Sequence, residues 1–375
     1  MSKLKVCVYA ICKNEEQFVE RWYNSMKEAD YVICVDTGSV DDTASKLKNL
    51  GAFVERFIFV PFRFDVARNR ALSLCPPDTD IFVSTDLDEV FEPGWADELR
   101  NNWNPKKHIR CVYKYSWSHL DNGKSARVFQ YDKIHGKGWT WQYPVHETLG
   151  YIANNRTPFY SEDATLNLFD KIHLHHYPDK TKSRGDYLNL LELRKQLYPD
   201  DHYGRIYLAH EYFYRKSYTE CISEVDSVLN TFSDRLDNIE TASLYLFKAD
   251  AYTELDQKTN AITNYFIAIS KNITYREAYL GLAKCYLKFE QYTNAISMAK
   301  IALSIQTRHF TWFERDTSWN YEPYDILSLA EYYNGNKKEA LSYAIKAYSF
   351  DEKNERLLNN VNSILHNLPS SELIK

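Results

Sequence analysis

Five residues recur at a fixed interval in the second half of this chain, and they constrain its fold more than any other feature. Ala249, Tyr252, Ala261, Ile262 and Ala268 are followed 34 positions later by Ala283, Tyr286, Ala295, Ile296 and Ala302. A step of 40 backwards reaches Ala209, Tyr212 and Cys221, and a step of 45 forwards from Ala295, Ala299 and Ala302 reaches Ala340, Ala344 and Ala347. A 34-residue period with small residues where helices cross is the signature of tetratricopeptide helix pairs. Residues 183–375 are therefore expected to form an all-α solenoid of about four helix pairs. The longer last step marks an insertion near 308–322, within RHFTWFERDTSWNYEPYD. Such an aromatic, charged segment belongs either to a binding face or to a packed connection between repeats.

The first half has a different grammar. KVCVYAIC (5–12), YVICVDT (31–37), AFVERFIFV (52–60) and DIFVSTD (80–86) are rich in β-branched and aromatic residues and read as strands. Helical stretches alternate with them: NEEQFVERWYNSMKEA, then DDTASKLKNLG, which ends at a glycine, then DVARNRALSLC. Strand–helix alternation at this spacing predicts a Rossmann-like α/β domain with a mainly parallel sheet, over residues 1–182. Ligands of such sheets gather at the carboxyl ends of the strands. Asn14 and Glu15 follow the first strand, Asp36 the second, and Asp86 and Asp88 the fourth, so the polar residues share one address.

Composition narrows the class. Hydrophobic residues make up 44% and charged residues 26% of the chain, as in a soluble globular protein. A net charge of −5 gives no electrostatic reason to expect nucleic-acid binding. No apolar run is long enough to span a membrane, and the opening MSKLKVCVYAIC turns polar too soon for a signal peptide. The seven cysteines are scattered without a paired motif and read as reduced thiols, so a cytoplasmic protein is expected.

Three acids crowd into Thr85-Asp86-Leu87-Asp88-Glu89, directly after a strand read as buried. Like charges that close repel unless a cation or hydrogen-bond donors meet them. An Asp-x-Asp pair suits a hard divalent cation whose remaining ligands come from phosphates. The bland alternative is an acidic turn facing water. Asp36, before a Gly-Ser turn, is placed to accept from a uracil imide or from ribose hydroxyls, whereas Asp41 and Asp42 read as helix caps. Asp86-Leu87-Asp88-Glu89-Val90 also fits the nucleophile motif of haloacid dehalogenase-like phosphatases, but that family carries it on the first strand.

VYAICKNEE, VDTGSVDDT, FDVARNRAL and STDLDEVF, in this order, resemble the family 2 glycosyltransferases of the GT-A fold. RVF, VHETL and LHHYPDKTKSR, followed by the repeats, resemble a bacterial and phage subgroup that includes the S-glycosyltransferases of glycopeptide bacteriocins such as sublancin. The resemblance implies a nucleotide-sugar donor, with Asn14, Glu15 and Asp36 lining the nucleotide pocket and Asp65 and Arg68 beside the nucleotide or its phosphates. It implies that Asp86 contacts ribose or donor sugar, that Asp88 ligates Mn²⁺ or Mg²⁺, and that transfer inverts the anomeric carbon. It also implies a bacterial or phage-infected host cell.

Transfer needs a base for the acceptor's proton. Glu147 is the first candidate, with His146 as a metal ligand or acceptor contact; the Glu-Asp pair of many family members is absent. Alternation along a strand sends His173 and His175 to one face, and His175 is read as a metal ligand or a packing residue. Arg127, Lys180 and Lys182 are candidates to hold the diphosphate, and Trp139, Trp141 and Tyr143 either stack on sugar or pack. A peptide or protein acceptor is expected, because tetratricopeptide grooves hold extended peptides, and the same repeats allow an oligomer. A DNA base or a glycan are the alternative acceptors, and a scaffold with a degenerate transferase domain is the non-enzymatic alternative.

Overall fold

The computed structural model describes residues 3–119, 125–151, 164–179, 187–309 and 311–368; Lys180 and Lys182 lie outside them. The chain divides into two compact units, Met1–Tyr198 and Pro199–Lys375.

In the first unit, strands β1 (Val6–Cys12), β2 (Tyr31–Asp36), β3 (Phe53–Arg56) and β4 (Ile81–Ser84) alternate with helices α1 (Val19–Met26), α2 (Thr43–Leu50) and α3 (Phe64–Ser73). Then come β5 (Glu89–Phe91), α4 (Trp95–Asn102), β6 (Arg110–His119), β7 (Ser125–His135), β8 (Trp139–Gln142), β9 (Thr148–Tyr151), β10 (Thr165–Asn167), β11 (His173–His176) and α5 (Tyr187–Leu197). The main sheet runs β3-β2-β1-β4-β7-β6-β11-β5, with β10 also on β6. Its first four strands are parallel, as expected; β7 is antiparallel to both β4 and β6, and β11 runs parallel to β6 but antiparallel to β5. All seven residues of β1, at the centre of the parallel half, are buried, which is why it reads as a continuous apolar run.

Three sequence expectations shift. The strand expected over 52–60 ends at Arg56, because β3 is the sheet edge and Phe57, Ile58 and Val60 are exposed. The helix expected from Asn14 begins at Val19, because the residues before it are stitched to the β2–α2 loop. The division between units falls after Tyr198 instead of at 182/183, because α5 is held to the first unit. Arg194 of α5, almost wholly buried, donates to the carbonyls of Val145 (2.9 Å) and His146 (3.1 Å) and lies over the Tyr143 ring.

Beneath the strand ends runs a buried polar relay. Trp141 Nε1–H donates to Tyr9 Oη (2.9 Å), Tyr9 O–H donates to His135 Nε2 (2.8 Å), and His135 Nδ1–H donates to the Gly136 carbonyl (2.7 Å). Burial pushes the His135 imidazole down to about 4, against the opposing pull of that carbonyl. The unfolded chain takes up this proton near 6.5 and the folded chain only near 4, so the stability contribution is full above about 6.5 and drains away as pH falls towards 4. We expect urea unfolding to lose about 3 kcal/mol more in wild type than in His135→Gln between pH 7 and pH 4. Parallel losses in the two proteins would show that His135 does not titrate in this way.

The second unit is helical throughout its regular elements. Pairs α6 (His202–Tyr214) and α7 (Tyr218–Thr231), α8 (Asn238–Glu254) and α9 (Lys258–Lys271), α10 (Arg276–Lys288) and α11 (Tyr292–Ser304), α12 (Glu322–Tyr333) and α13 (Lys337–Tyr348) follow one another, and α14 (Glu355–His366) closes the series. The periodic alanines are the crossing points: Ala209, Ala249, Ala283, Ala261, Ala295 and Ala340 have no exposed surface. Gly281 shows why bulk is excluded, since a Cβ there would lie 2.6 Å from the Tyr265 ring. A capping box starts α8, with Asp237 accepting from the Glu240 amide and Glu240 accepting from the Asp237 amide.

The insertion is a packed connection rather than a free loop. Trp312 stacks on Tyr207 of α6 (4.8 Å between ring centroids) and lies 5.5 Å from His210. Tyr275 donates to the Phe313 carbonyl (3.0 Å), the Arg315 amide donates to Glu277 (2.9 Å), and Arg276 donates to the carbonyls of Ser318 and Ile305 while stacking on Trp319. The segment therefore lies along the first helices of the first and third pairs, and Phe313, Glu314 and Ser318 are buried in doing so.

Candidate active site

The site forms where the parallel strands end. β1 closes at Cys12, and the chain then turns through Asn14, whose φ of +53° is one that asparagine tolerates. Asn14 Oδ1 accepts from the Val40 amide (2.8 Å), the Asn14 amide donates to Ser39 Oγ (3.0 Å), and the Glu15 amide donates to Thr43 Oγ1 (2.8 Å). Asp41 accepts from the Thr43 amide and hydroxyl and from the Glu16 amide and so ties the two loops together, while Asp42, at the N-cap of α2, makes no side-chain capping bond. Asp36 is fully buried at the end of β2. Its Oδ1 accepts from the Ser39 amide (2.8 Å); its Oδ2 has no hydrogen-bond partner among the described residues and lies 3.8 Å from Arg56 Nε.

Two strands away, on the far side of β1, β4 delivers the acids. Arg68 of α3 is buried between Asp86 (Nη2–Oδ1 2.7 Å) and Glu147 (Nε–Oε1 2.6 Å), with its guanidinium carbon 5.1 Å from the centre of the Trp141 ring. Burial disfavours charge on Arg68, and the two carboxylates outweigh it and hold the guanidinium firmly protonated. Lys133 Nζ reaches Asp86 Oδ2 (3.8 Å) from β7. Burial would raise the Asp86 carboxyl, but Arg68 and Lys133 bring it down to about 2, although 36% of its side chain still meets solvent. Glu89, wholly buried, is pushed up to about 7 by burial and by Asp86; it accepts from the Asp86 amide (2.9 Å) and from Tyr115 O–H (2.8 Å).

Asp88 is treated differently from its neighbours. Its Oδ1 is buried with no hydrogen-bond partner among the described residues, and its Oδ2 lies 3.3 Å from His176 Nε2. The other nitrogen of His176 donates to the Trp117 carbonyl (3.1 Å), which turns Nε2 towards Asp88. A carboxylate and an imidazole so oriented, with an unsatisfied buried oxygen, fit a divalent cation that completes its shell from a ligand. Trp117, 46% exposed, stacks on His176 (4.7 Å) and presents a flat apolar face beside this pair.

The predicted residues sort accordingly. Asp86, Arg68 and Glu147 are joined in one cluster. Asp88 is joined to His176, not to His175, which faces Glu92 (3.0 Å) with His173 because successive strand residues point to opposite sides. Asp65, in the first turn of α3, is engaged by Arg63 in a two-point ion pair and accepts from the Val66 amide. His146 is exposed and its ring lies over Tyr187 (5.9 Å). Trp139 and Trp141 are buried packing residues, and Arg127 sits on β7 opposite Ser118. Sequence reasoning missed Lys133 and the roles of Glu89 and His176. Lys133 had a signal: it shares strand parity with Phe129 and Tyr131, so it was due to point inward and to need an anionic partner.

Residues 7–172 match the family model described as Glycosyl transferase family 2. The first unit carries a glycosyltransferase family 2 domain. That match spans the parallel strands, the acidic turn and β7, and it includes every member of the Asp86–Arg68–Glu147 cluster. The chain thus joins a family 2 glycosyltransferase domain to a tetratricopeptide-like helical region. No curated protein matches the sequence. Similar solved structures include TTC0263, a thermophilic TPR protein of Thermus thermophilus, at 16% identity over 48% of this chain and 89% of that one, with a TM-score of 0.39. MamA is similar at 22% identity over 48% of this chain and 99% of that one, with a TM-score of 0.36. Among the described residues no helix is long and apolar enough to cross a membrane.

Proposed function

We propose that the glycosyltransferase domain moves a sugar from a nucleotide diphosphate sugar, with uridine as the expected base, to a peptide or protein acceptor. The observation that carries this reading is a pair of buried carboxylate oxygens without hydrogen-bond partners among the described residues, Asp36 Oδ2 and Asp88 Oδ1, at the ends of the strands flanking β1. Buried acceptors left open in this way are costly unless a ligand completes them. Asp36 accepts from the imide or ribose of the nucleotide, and the Asn14–Glu15 turn, pinned to Ser39 and Thr43, shapes the wall beside it. Asp88 and His176 hold Mn²⁺ or Mg²⁺, which when bound neutralises charge building on the departing diphosphate. Asp86, kept ionised by Arg68 and Lys133, accepts from donor-sugar or ribose hydroxyls.

Glu147, oriented by Arg68, takes the proton of the acceptor nucleophile. The acceptor atom bonds to the anomeric carbon as the bond from that carbon to the diphosphate oxygen breaks, and the electron pair leaves with the nucleotide. Attack opposite the leaving group inverts the anomeric centre. His146, exposed next to Glu147, is an acceptor contact. The net charge of −5 weighs against a DNA acceptor. Because the insertion lies along the first helices of the first and third pairs, we place peptide recognition by the repeats off that face.

The test is thermal denaturation against a panel of nucleotide sugars with and without Mn²⁺. One donor should raise the melting temperature only in the presence of the ion, since a ligand of the folded state stabilises by mass action. No shift with any donor, or an equal shift without metal, would remove the reading.

A further inference from the structure

On the face of β11 turned away from Asp88, three side chains that the transfer site does not use converge. Glu92, just beyond β5, places Oε1 3.0 Å from His173 Nδ1 and 3.0 Å from His175 Nε2, and the three candidate ligand atoms lie within 4.8 Å of one another. The separation of faces follows from pairing. Leu174 opposes Phe91 and His176 opposes Glu89 on the core side, which leaves His173, His175 and Glu92 on the other.

A zinc ion bonded at 2.0–2.1 Å to tetrahedral ligands needs donor atoms about 3.3 Å apart, so two of the spacings found here need widen by only a few tenths of an ångström. The second observation concerns the far nitrogens of the rings. His173 Nε2 is 2.7 Å from Ser116 Oγ, and His175 Nδ1 is 3.0 Å from His119 Nε2. Imidazoles that bind metals have the non-ligating nitrogen held in this way, which fixes tautomer and ring orientation. Ser116 Oγ is in turn 2.7 Å from Ser125 Oγ, so this outer support reaches a further strand.

We propose that Glu92, His173 and His175 form a second metal site, separate from Asp88 and His176, that takes Zn²⁺ or a similar nitrogen-preferring transition ion, with a solvent position left open. Two imidazoles and one carboxylate favour such ions over Mg²⁺ and Ca²⁺, whose preference for oxygen ligands is poorly met by a set with two nitrogens. The role is structural. The ion joins the end of β5 to β11, whose opposite face presents His176 and whose following residue, Tyr177, donates its amide to the Asp88 carbonyl (2.8 Å). Filling the outer site thus stiffens the backbone that carries the inner one.

Cobalt(II) titrated into the full-length, metal-stripped protein provides the test. Wild type should bind one equivalent with a ligand-field absorption band that Zn²⁺ abolishes, and Asp88→Asn should bind it equally. Glu92→Gln and His175→Ala should bind about 100-fold more weakly, and Ser116→Ala about tenfold more weakly, as expected when a support of a ligand is removed. Glu92 is 58% exposed, so its variant folds and a lost band there reports a lost ligand. A band that survives Glu92→Gln and His175→Ala but disappears in Asp88→Asn would place the ion at the inner pair and overturn the proposal. So would the absence of any band in wild type.

Discussion

Replacing Arg68 with methionine should destabilise the protein by about 3–5 kcal/mol and abolish transferase activity. The guanidinium is almost wholly buried between Asp86 and Glu147 at 2.7 and 2.6 Å, and removing it takes the cationic partner from the largely buried Glu147 and leaves Asp86 with Lys133 alone. Breaking a buried ion pair by deleting one partner costs far more than deleting the whole group of charges, because the survivors remain desolvated and unpaired. The same logic supplies a control. Adding Glu147→Gln to Arg68→Met should recover part of the lost stability without recovering activity. Urea denaturation of the three proteins reads both outcomes. An Arg68→Met protein that unfolds within about 0.5 kcal/mol of wild type would show that the cluster carries no buried charge of consequence.

The second large effect concerns Asp88, and it runs the other way for stability. Asp88→Asn should lower the rate of sugar transfer by roughly 10³-fold, the equivalent of several kcal/mol of charge stabilisation at the departing diphosphate. The metal-free variant should be no less stable than wild type. The substitution removes the charge from a carboxylate whose buried Oδ1 nothing among the described residues satisfies, which offsets the weakened 3.3 Å contact of Oδ2 with His176. Steady-state rates at saturating Mn²⁺, with melting temperatures in a chelator, separate the two quantities. Activity within about tenfold of wild type would mean that the ion assisting transfer sits elsewhere.

Much of the fold was legible because it obeys short rules. The continuous apolar runs of β1 and β4 mark buried parallel strands, and the alanines from 209 to 347 mark helix crossings. The acids stood at the strand ends where a parallel sheet collects ligands. What escaped the sequence was pairing. Nothing in the order of residues says that Arg68 would reach both Asp86 and Glu147, or that β7 would come antiparallel against β4 and bring Lys133 to the same carboxylate. His175 and His176 are neighbours in sequence but opposite in face. Only the register of β11 on β5 decides which of them meets Asp88. The edge strand β3 fell short of its predicted length for a related reason. Apolar residues from Phe57 to Val60 imitate a strand, but at the sheet margin Phe57, Ile58 and Val60 stay exposed and Phe59 alone of the four packs against the core.

The inserted segment changes how the helical unit comes apart. In a simple repeat array each pair touches only its neighbours, so the ends fray independently and stability accumulates stepwise. Here Trp312, which lies in the chain between the third and fourth pairs, stacks on Tyr207 of the first, while Arg276 and Glu277 of the third pair hold the same segment. The first pair cannot open without releasing that strap, and releasing the strap uncovers Phe313 and Ser318 against the third. A one-dimensional stack thereby acquires a long-range link, and the first and third pairs are expected to unfold in one concerted step where an uninterrupted array would unzip.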